Sequence, residues 1–203
     1  MKKFSIIILT MFLFTTLGCK KDKKEEVKET ETKTETTNNS TTSTSKPVVD
    51  DGEIKKMIID LNSKSGSNVT GKVVFKQEKG VVSMVALMEG LDEGEHAIHL
   101  HESADCSSDD GKSTGGHWNP TGQPHGKWGD AKGYHKGDIG NFMADANGNG
   151  TINFYTQEWC IGCGDPNKDI VGKAVIVHQG TDDFTSQPSG AAGARVSCGG
   201  VIE

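Results

Sequence analysis

The chain has 203 residues, is 33% hydrophobic and carries a formal net charge of −6. That length supports one domain of about 150 residues with a real core, plus segments outside it. The acidic balance argues against nucleic acid as a partner, since a phosphate backbone calls for a basic face, but it does not exclude a small anion drawn in by a few cationic groups at one cleft.

Residues 1–19 are built like an export signal: Lys2 and Lys3, an apolar run from Phe4 to Leu17, then Gly18-Cys19. The run is too short to favour spanning a bilayer. A small residue before Cys matches a bacterial lipobox, in which Cys19 would be lipidated and become the mature N-terminus. Thr16 stands where such boxes usually carry Leu, and the other reading is a plain secretory peptide. Residues 20–51 are mostly Lys, Glu, Thr, Ser and Asn, which bury too little surface to offset their ordering entropy and read as a disordered tether. The expectation is an exported protein, lipid-anchored to the bacterial envelope on its periplasmic or surface face, with a folded domain over 52–203.

From Ile54 onward, short β-branched or alternating runs are separated by Gly, Asn and Asp, with no sustained helical period. The predicted strands are 54–61, 69–77, 81–89, 95–101, 138–144, 151–157, 173–177 and 195–202. Eight short strands predict an all-β fold, a Greek-key sandwich or barrel. Two connections, 102–137 and 178–194, are far longer than ordinary loops, and loops of that length are usually functional or disordered.

All seven His lie between His96 and His178. His99 and His101 are two apart on a predicted strand, so both rings leave one face and can chelate one ion. His96 points to the opposite face and reads as a core or hydrogen-bonding residue. His117, His125, His135 and Asp138 offer three imidazoles and a carboxylate from one loop, a donor set that suits tetrahedral zinc, whereas an all-imidazole site suits copper. His178 can return to the His99/His101 pair from a neighbouring strand. Spacing supports metal binding without assigning each His.

Apart from Cys19, four Cys remain and permit three pairings. Cys160 and Cys163 form a CxxC with two readings: a local disulfide, or a reduced pair that gathers Cu(I) or exchanges disulfides.

Several motifs stand in one order: Gly71-Lys72-Val73-Val74-Phe75, His99-Leu100-His101-Glu102, Gly116-His117-Trp118-Asn119-Pro120, Tyr134-His135-Lys136-Gly137-Asp138-Ile139-Gly140-Asn141, Val177-His178, and Gly193-Ala194-Arg195-Val196-Ser197-Cys198-Gly199. Together they resemble the copper-zinc superoxide dismutase family over about 150 residues. The resemblance implies one copper per subunit on His99, His101, His117 and His178, and one zinc on His117, His125, His135 and Asp138, with His117 bridging the two. It implies Asp182 as the carboxylate bonded to His99 and His125, Arg195 as the guide for superoxide, and a Cys106–Cys198 bridge. The implied reaction converts superoxide to oxygen and hydrogen peroxide by alternating reduction and re-oxidation of copper, with zinc structural, in a monomer or homodimer. The loop from Asp182 to Arg195 is shorter than in many members and has no Lys. Ser189 stands near a position where a Thr often lines the channel. Lys127, Lys132 and Lys136 are the candidates to supply the missing charge, although plain solvation suits them too. The competing function is a non-catalytic copper-binding or delivery lipoprotein on the same scaffold, with Cys160 and Cys163 as acceptors.

Overall fold

The computed structural model describes residues 53–203; the export signal, Cys19 and the polar segment 20–51 lie outside the described residues. These residues form eight strands: β1 (Lys55–Ser63), β2 (Thr70–Glu78), β3 (Val81–Glu89), β4 (Gly94–His101), β5 (Gly140–Ala144), β6 (Gly150–Thr156), β7 (Ala174–His178) and β8 (Arg195–Gly200). They close into a barrel in the order β1-β2-β3-β6-β5-β4-β7-β8. Every pairing is antiparallel, and β3 to β6 and β4 to β7 are the crossings that make a Greek key.

Alternation along the strands decides what faces where. Val73 and Phe75 of β2, Val82, Met84 and Ala86 of β3, Ile98 and Leu100 of β4, and Val175 and Val177 of β7 fill the interior. The residues between them face outward. On β1, β2, β3 and β6 many of these are exposed or half-buried, as expected for a sheet wetted on one side. On β4 and β7 they are buried as well, because the two long loops fold over this part of the barrel. The residues so covered include His99, His101 and His178.

The loop 102–137 is held at several points. Cys106 is bonded to Cys198 on β8, and a short 3₁₀ turn, Lys112–Thr114, breaks what the sequence suggested was structureless. Further along, Trp118 N–H donates to Leu100 O (2.8 Å), Leu100 N–H to Gly137 O (2.9 Å) and Gly137 N–H to Trp118 O (3.0 Å), so the loop continues the sheet past the end of β4. A side chain at 137 would put its Cβ 2.1 Å from Leu100 O, so only Gly allows this approach. Trp128 of the same loop packs on Tyr134, Phe154 and Trp159.

Two strand boundaries depart from the sequence expectation in ways that matter for the site. The strand expected from Asp138 begins at Gly140, because Asp138 is turned into a cluster of His and its N–H is used by His135 O at 3.1 Å. The strand expected to end at Val177 includes His178, which pairs with Arg195 across a β-bulge. Bulges re-aim side chains, and this one sets His178 beside His99 and His101.

Candidate metal centre

Two groups of ligand atoms converge under the loops. One comprises His99, His101, His117 and His178; the other comprises His117, His125, His135 and Asp138; within each group the ligand atoms lie within 4.8 Å of one another. All seven residues are buried. His99 and His101 come from β4 and His178 from the bulged end of β7. His117 pairs with His101 as an isolated antiparallel bridge, and the loop brings His125, His135 and Asp138 behind it.

The hydrogen bonds fix which ring nitrogen of each His is available. His99 Nε2 donates to Asp182 Oδ2 (2.8 Å), His101 Nδ1 to Gly115 O (3.0 Å) and His178 Nδ1 to Gly193 O (3.4 Å). Their remaining nitrogens, His99 Nδ1, His101 Nε2 and His178 Nε2, are buried without a hydrogen-bond partner, as is His117 Nε2. A neutral imidazole that donates through one nitrogen presents a lone pair at the other, which is the form that ligates a metal. Four such lone pairs in one place suit copper.

The second group is ordered by Asp138. Its Oδ1 lies 2.8 Å from His117 Nδ1, and its Oδ2 accepts the backbone N–H groups of His135 (2.8 Å) and Gly126 (3.2 Å). His125 Nδ1 at 3.0 Å and His135 Nδ1 at 3.2 Å approach the same carboxylate, yet neither is aligned as a hydrogen bond. His125 Nδ1 and His135 Nδ1 crowd the carboxylate without bonding it, beside His117 Nδ1, an arrangement that fits donors to a shared ion, and three imidazoles with one carboxylate suit tetrahedral zinc. His117 is shared, with Nδ1 toward one group and Nε2 toward the other. Asp182 links them again from behind, through His99 and through His125 Nε2, which donates to its Oδ1 at 2.9 Å.

His96 is different. Its Nδ1 lies 3.0 Å from His178 O and its Nε2 2.8 Å from Asp92 O, so both nitrogens face carbonyls and none is left to ligate.

Burial sets the electrostatics. It holds His101 and His178 far below the ordinary His range and brings His117 to about 4 even though Asp138 pulls the other way. Burial also opposes ionisation of Asp138 and Asp182, but hydrogen bonds from their His partners outweigh it and both stay well below the usual carboxylate range. For His125 burial is overcome by Asp138 and Asp182, which raise it to about 9.

A cavity of about 570 Å³ opens onto the first group, lined by His101, His117, His178 and Arg195 among others. Arg195 Nη1 donates to Gly111 O (2.8 Å) and Thr114 Oγ1 (3.0 Å), which fixes the guanidinium at the cavity wall. Ser189 lines the cavity, as its sequence position suggested, but Lys127, Lys132 and Lys136 do not. Lys136 is instead paired with Glu158. The cation that does reach the wall, Lys112, was missed, as were its neighbour Asp110 and Glu102. Glu102 stood in the His99-Leu100-His101-Glu102 motif without an assigned role, and the only signal for Lys112 and Asp110 was membership of the long loop.

The sequence model of the family Copper/zinc superoxide dismutase (SODC) matches residues 69–202. The chain belongs to this family. It is 37% identical over 151 residues to "Superoxide dismutase [Cu-Zn] 2" of Brassica juncea, covering 71% of this chain and 95% of that protein. A protein of the same name from Aquifex aeolicus is 33% identical over 139 residues, covering 65% of this chain and 81% of its own length. Among solved structures, a double mutant of a SOD-like protein from Bacillus subtilis matches with a TM-score of 0.63 at 28% identity, covering 72% of this chain and 97% of that one. Membership of the copper/zinc superoxide dismutase family implies copper and zinc as the metals, and the two donor sets fit that pair.

Proposed function

We propose that this chain is a catalytically active superoxide dismutase. The observation that carries the reading is His117, whose two ring nitrogens face two different donor sets while the cavity and Arg195 lie beside one of them. A protein that only stores or delivers copper needs neither a shared imidazole nor a fixed guanidinium. On this reading His99, His101, His117 and His178 hold copper, and His117, His125, His135 and Asp138 hold zinc. Bound copper would supply one-electron redox chemistry; zinc is d10 and supplies none.

The protein's own part follows from the geometry. Two superoxide anions and two protons become one dioxygen and one hydrogen peroxide. Arg195 is always cationic and forked, so it draws the anion to the cavity and orients it. His117 Nε2 faces the cavity-side group and is the atom that holds a proton between the half-reactions and gives it to the peroxide formed in the second. Asp182 keeps the N–H of His99 and of His125 on the far side of each ring, leaving His99 Nδ1 and His125 Nδ1 free to hold copper and zinc when these are bound.

The same proposal includes export and a lipid anchor on Cys19. The lipobox-like Gly18-Cys19 supports it, and the two disulfides, Cys106–Cys198 and the local Cys160–Cys163 bond, are of the kind that persists outside the cytosol. Replacing Cys19 by Ala should then free the protein from membranes, and unchanged fractionation would remove this part of the reading.

The decisive experiment is metal content by mass spectrometry alongside superoxide consumption on one purified sample, with Arg195→Ala as the variant. The expected result is one copper and one zinc per chain with fast dismutation, and slower turnover at unchanged metal content in the variant. Full copper loading without dismutation would favour the copper-carrier function.

A further inference from the structure

We propose that Cys160 and Cys163 form a second copper site, which binds one monovalent copper ion when their disulfide is reduced. These residues lie in Glu158-Trp159-Cys160-Ile161-Gly162-Cys163-Gly164, between β6 and β7. Neither the His clusters nor the barrel accounts for them.

The loop is shaped without help from the disulfide. Cys160 N–H donates to Lys168 O (2.8 Å), and Ile170 N–H donates to Cys160 O (3.0 Å). Ile161 N–H donates to the Gln77 side chain on β2 at 2.6 Å. The Asp169 carboxylate gathers the N–H groups of Gly162 (2.9 Å), Gly164 (2.7 Å) and Val171 (3.1 Å). A crosslink between residues three apart removes little chain entropy beside the Cys106–Cys198 bridge, whose partners are 92 apart. The sulfurs are therefore held as a pair by the loop around them, and opening the bond leaves them side by side.

Exposure gives the reaction a direction. Cys163 is exposed and Cys160 is buried, so an external thiolate attacks Cys163 Sγ, the S–S bond breaks and Cys160 leaves as thiolate. A second external thiol then resolves the mixed disulfide. One disulfide and two thiols become one dithiol and one external disulfide.

The dithiol has a clear metal preference. The ligand atoms of Cys160, Cys163 and Asp169 lie within 4.8 Å of one another, but Asp169 is already committed to three backbone N–H groups. Two soft thiolates are what remains, with a carboxylate charge close by. Zinc asks for four donors, whereas two thiolates suit Cu(I). Flanking contacts tie this loop to the zinc-side segment: Trp159 Nε1 donates to Lys136 O (2.9 Å) and Tyr134 OH to Glu158 Oε1 (2.7 Å).

The test uses the full chain with both His groups filled. It is reduced with a small dithiol, freed of reductant under argon, and mapped by alkylation and peptide mass. Cys160 and Cys163 are expected to be alkylated first, because Cys198 of the other bridge is fully buried. Titration with Cu(I) from a chromogenic chelator complex should then add one copper per chain, with sulfur neighbours in the copper-edge X-ray absorption spectrum. Cys163→Ser should lose that copper alone, keeping the metals of the His groups and the dismutation rate. The proposal is overturned if the reduced protein takes up no further copper, if the extra copper persists in Cys163→Ser, or if Cys106–Cys198 opens first. None of these outcomes bears on whether the His centre dismutates superoxide.

Discussion

Gln187 grips the main chain of His125 with both ends of its side-chain amide. Its Oε1 accepts the His125 N–H at 2.9 Å and its Nε2 donates to the His125 carbonyl at 2.9 Å. One long loop thus holds a metal-facing residue of the other. Gln187→Ala removes both bonds, each worth about 1 kcal/mol, and should weaken zinc retention by roughly tenfold or more while leaving copper affinity nearly unchanged. Gln187→Glu keeps the acceptor but loses the donor and should fall between. Zinc competition with a chromogenic chelator measures the series, and equal retention in all three proteins would show that the grip is incidental.

Gly190 closes the same interface from the other side. Its φ is +67°, and an added Cβ would lie 1.8 Å from Asp182 Oδ1 and 2.6 Å from His125 Nε2. Because Asp182 is hydrogen-bonded to both His99 and His125, Gly190→Ala should disturb both metal groups together. The unfavourable φ and the displaced carboxylate should lower the melting temperature by at least about 5 °C. Calorimetry with metal analysis checks this; a variant that melts and binds metal as the parent does would mean that the carboxylate can shift freely.

These two relationships mark the limit of what the sequence made legible. The strands were readable because alternation sorts Val73, Phe75, Met84, Ile98 and Leu100 from their outward neighbours, and His99 and His101 fell on one face by the same rule. His96 was set apart by strand parity, and its bonds to two carbonyls agree. The donor sets became readable through motifs shared with a family. What sequence could not show depends on how two loops lie on each other. Gln187 meets His125 across 62 positions, and Lys112 reaches the cavity from a 3₁₀ turn whose flanking Gly111 and whose Thr114 both bond Arg195. Lys136, nearer the His in sequence, was drawn away by Glu158.

Lys112 gives a third prediction. Its Nζ lies 2.8 Å from Asp110 Oδ2, and the bond from Lys112 lowers the Asp110 pKa to about 2, so the acid stays charged at any working pH. Both side chains line the cavity beside Arg195. Lys112→Ala should slow the association of superoxide about two- to threefold at low salt, and Asp110→Asn should speed it by a similar factor. Both effects should vanish near 1 M salt, where screening acts within about 3 Å. Pulse radiolysis across ionic strengths decides; effects of the same sign in both variants would show a disturbed loop instead of a changed field.

The last prediction concerns pH in the metal-free protein. His117 is depressed to about 4 by burial, and burial also holds His101 and His178 well below the ordinary His range. Depressed groups contribute stability that is present above the unfolded value of about 6.5 and is lost as pH falls toward the folded value. His125, raised to about 9 by Asp138 and Asp182 against its own burial, contributes stability that is full below about 6.5 and is lost as pH rises through 9. The two trends cross, so the melting temperature of the metal-free protein should peak near pH 6.5 to 7 and fall on both sides. Zinc removes only one limb. Zinc held by His125 would displace its proton, so zinc affinity should rise about tenfold per pH unit up to about pH 9, and the alkaline decline should disappear once zinc is bound. The acid decline should remain, moved to lower pH, because protons still compete for every ligating nitrogen. Calorimetry of the metal-free and zinc-loaded forms across pH 4 to 10 separates the limbs, and an alkaline decline that survives zinc would mean that His125 is not its source.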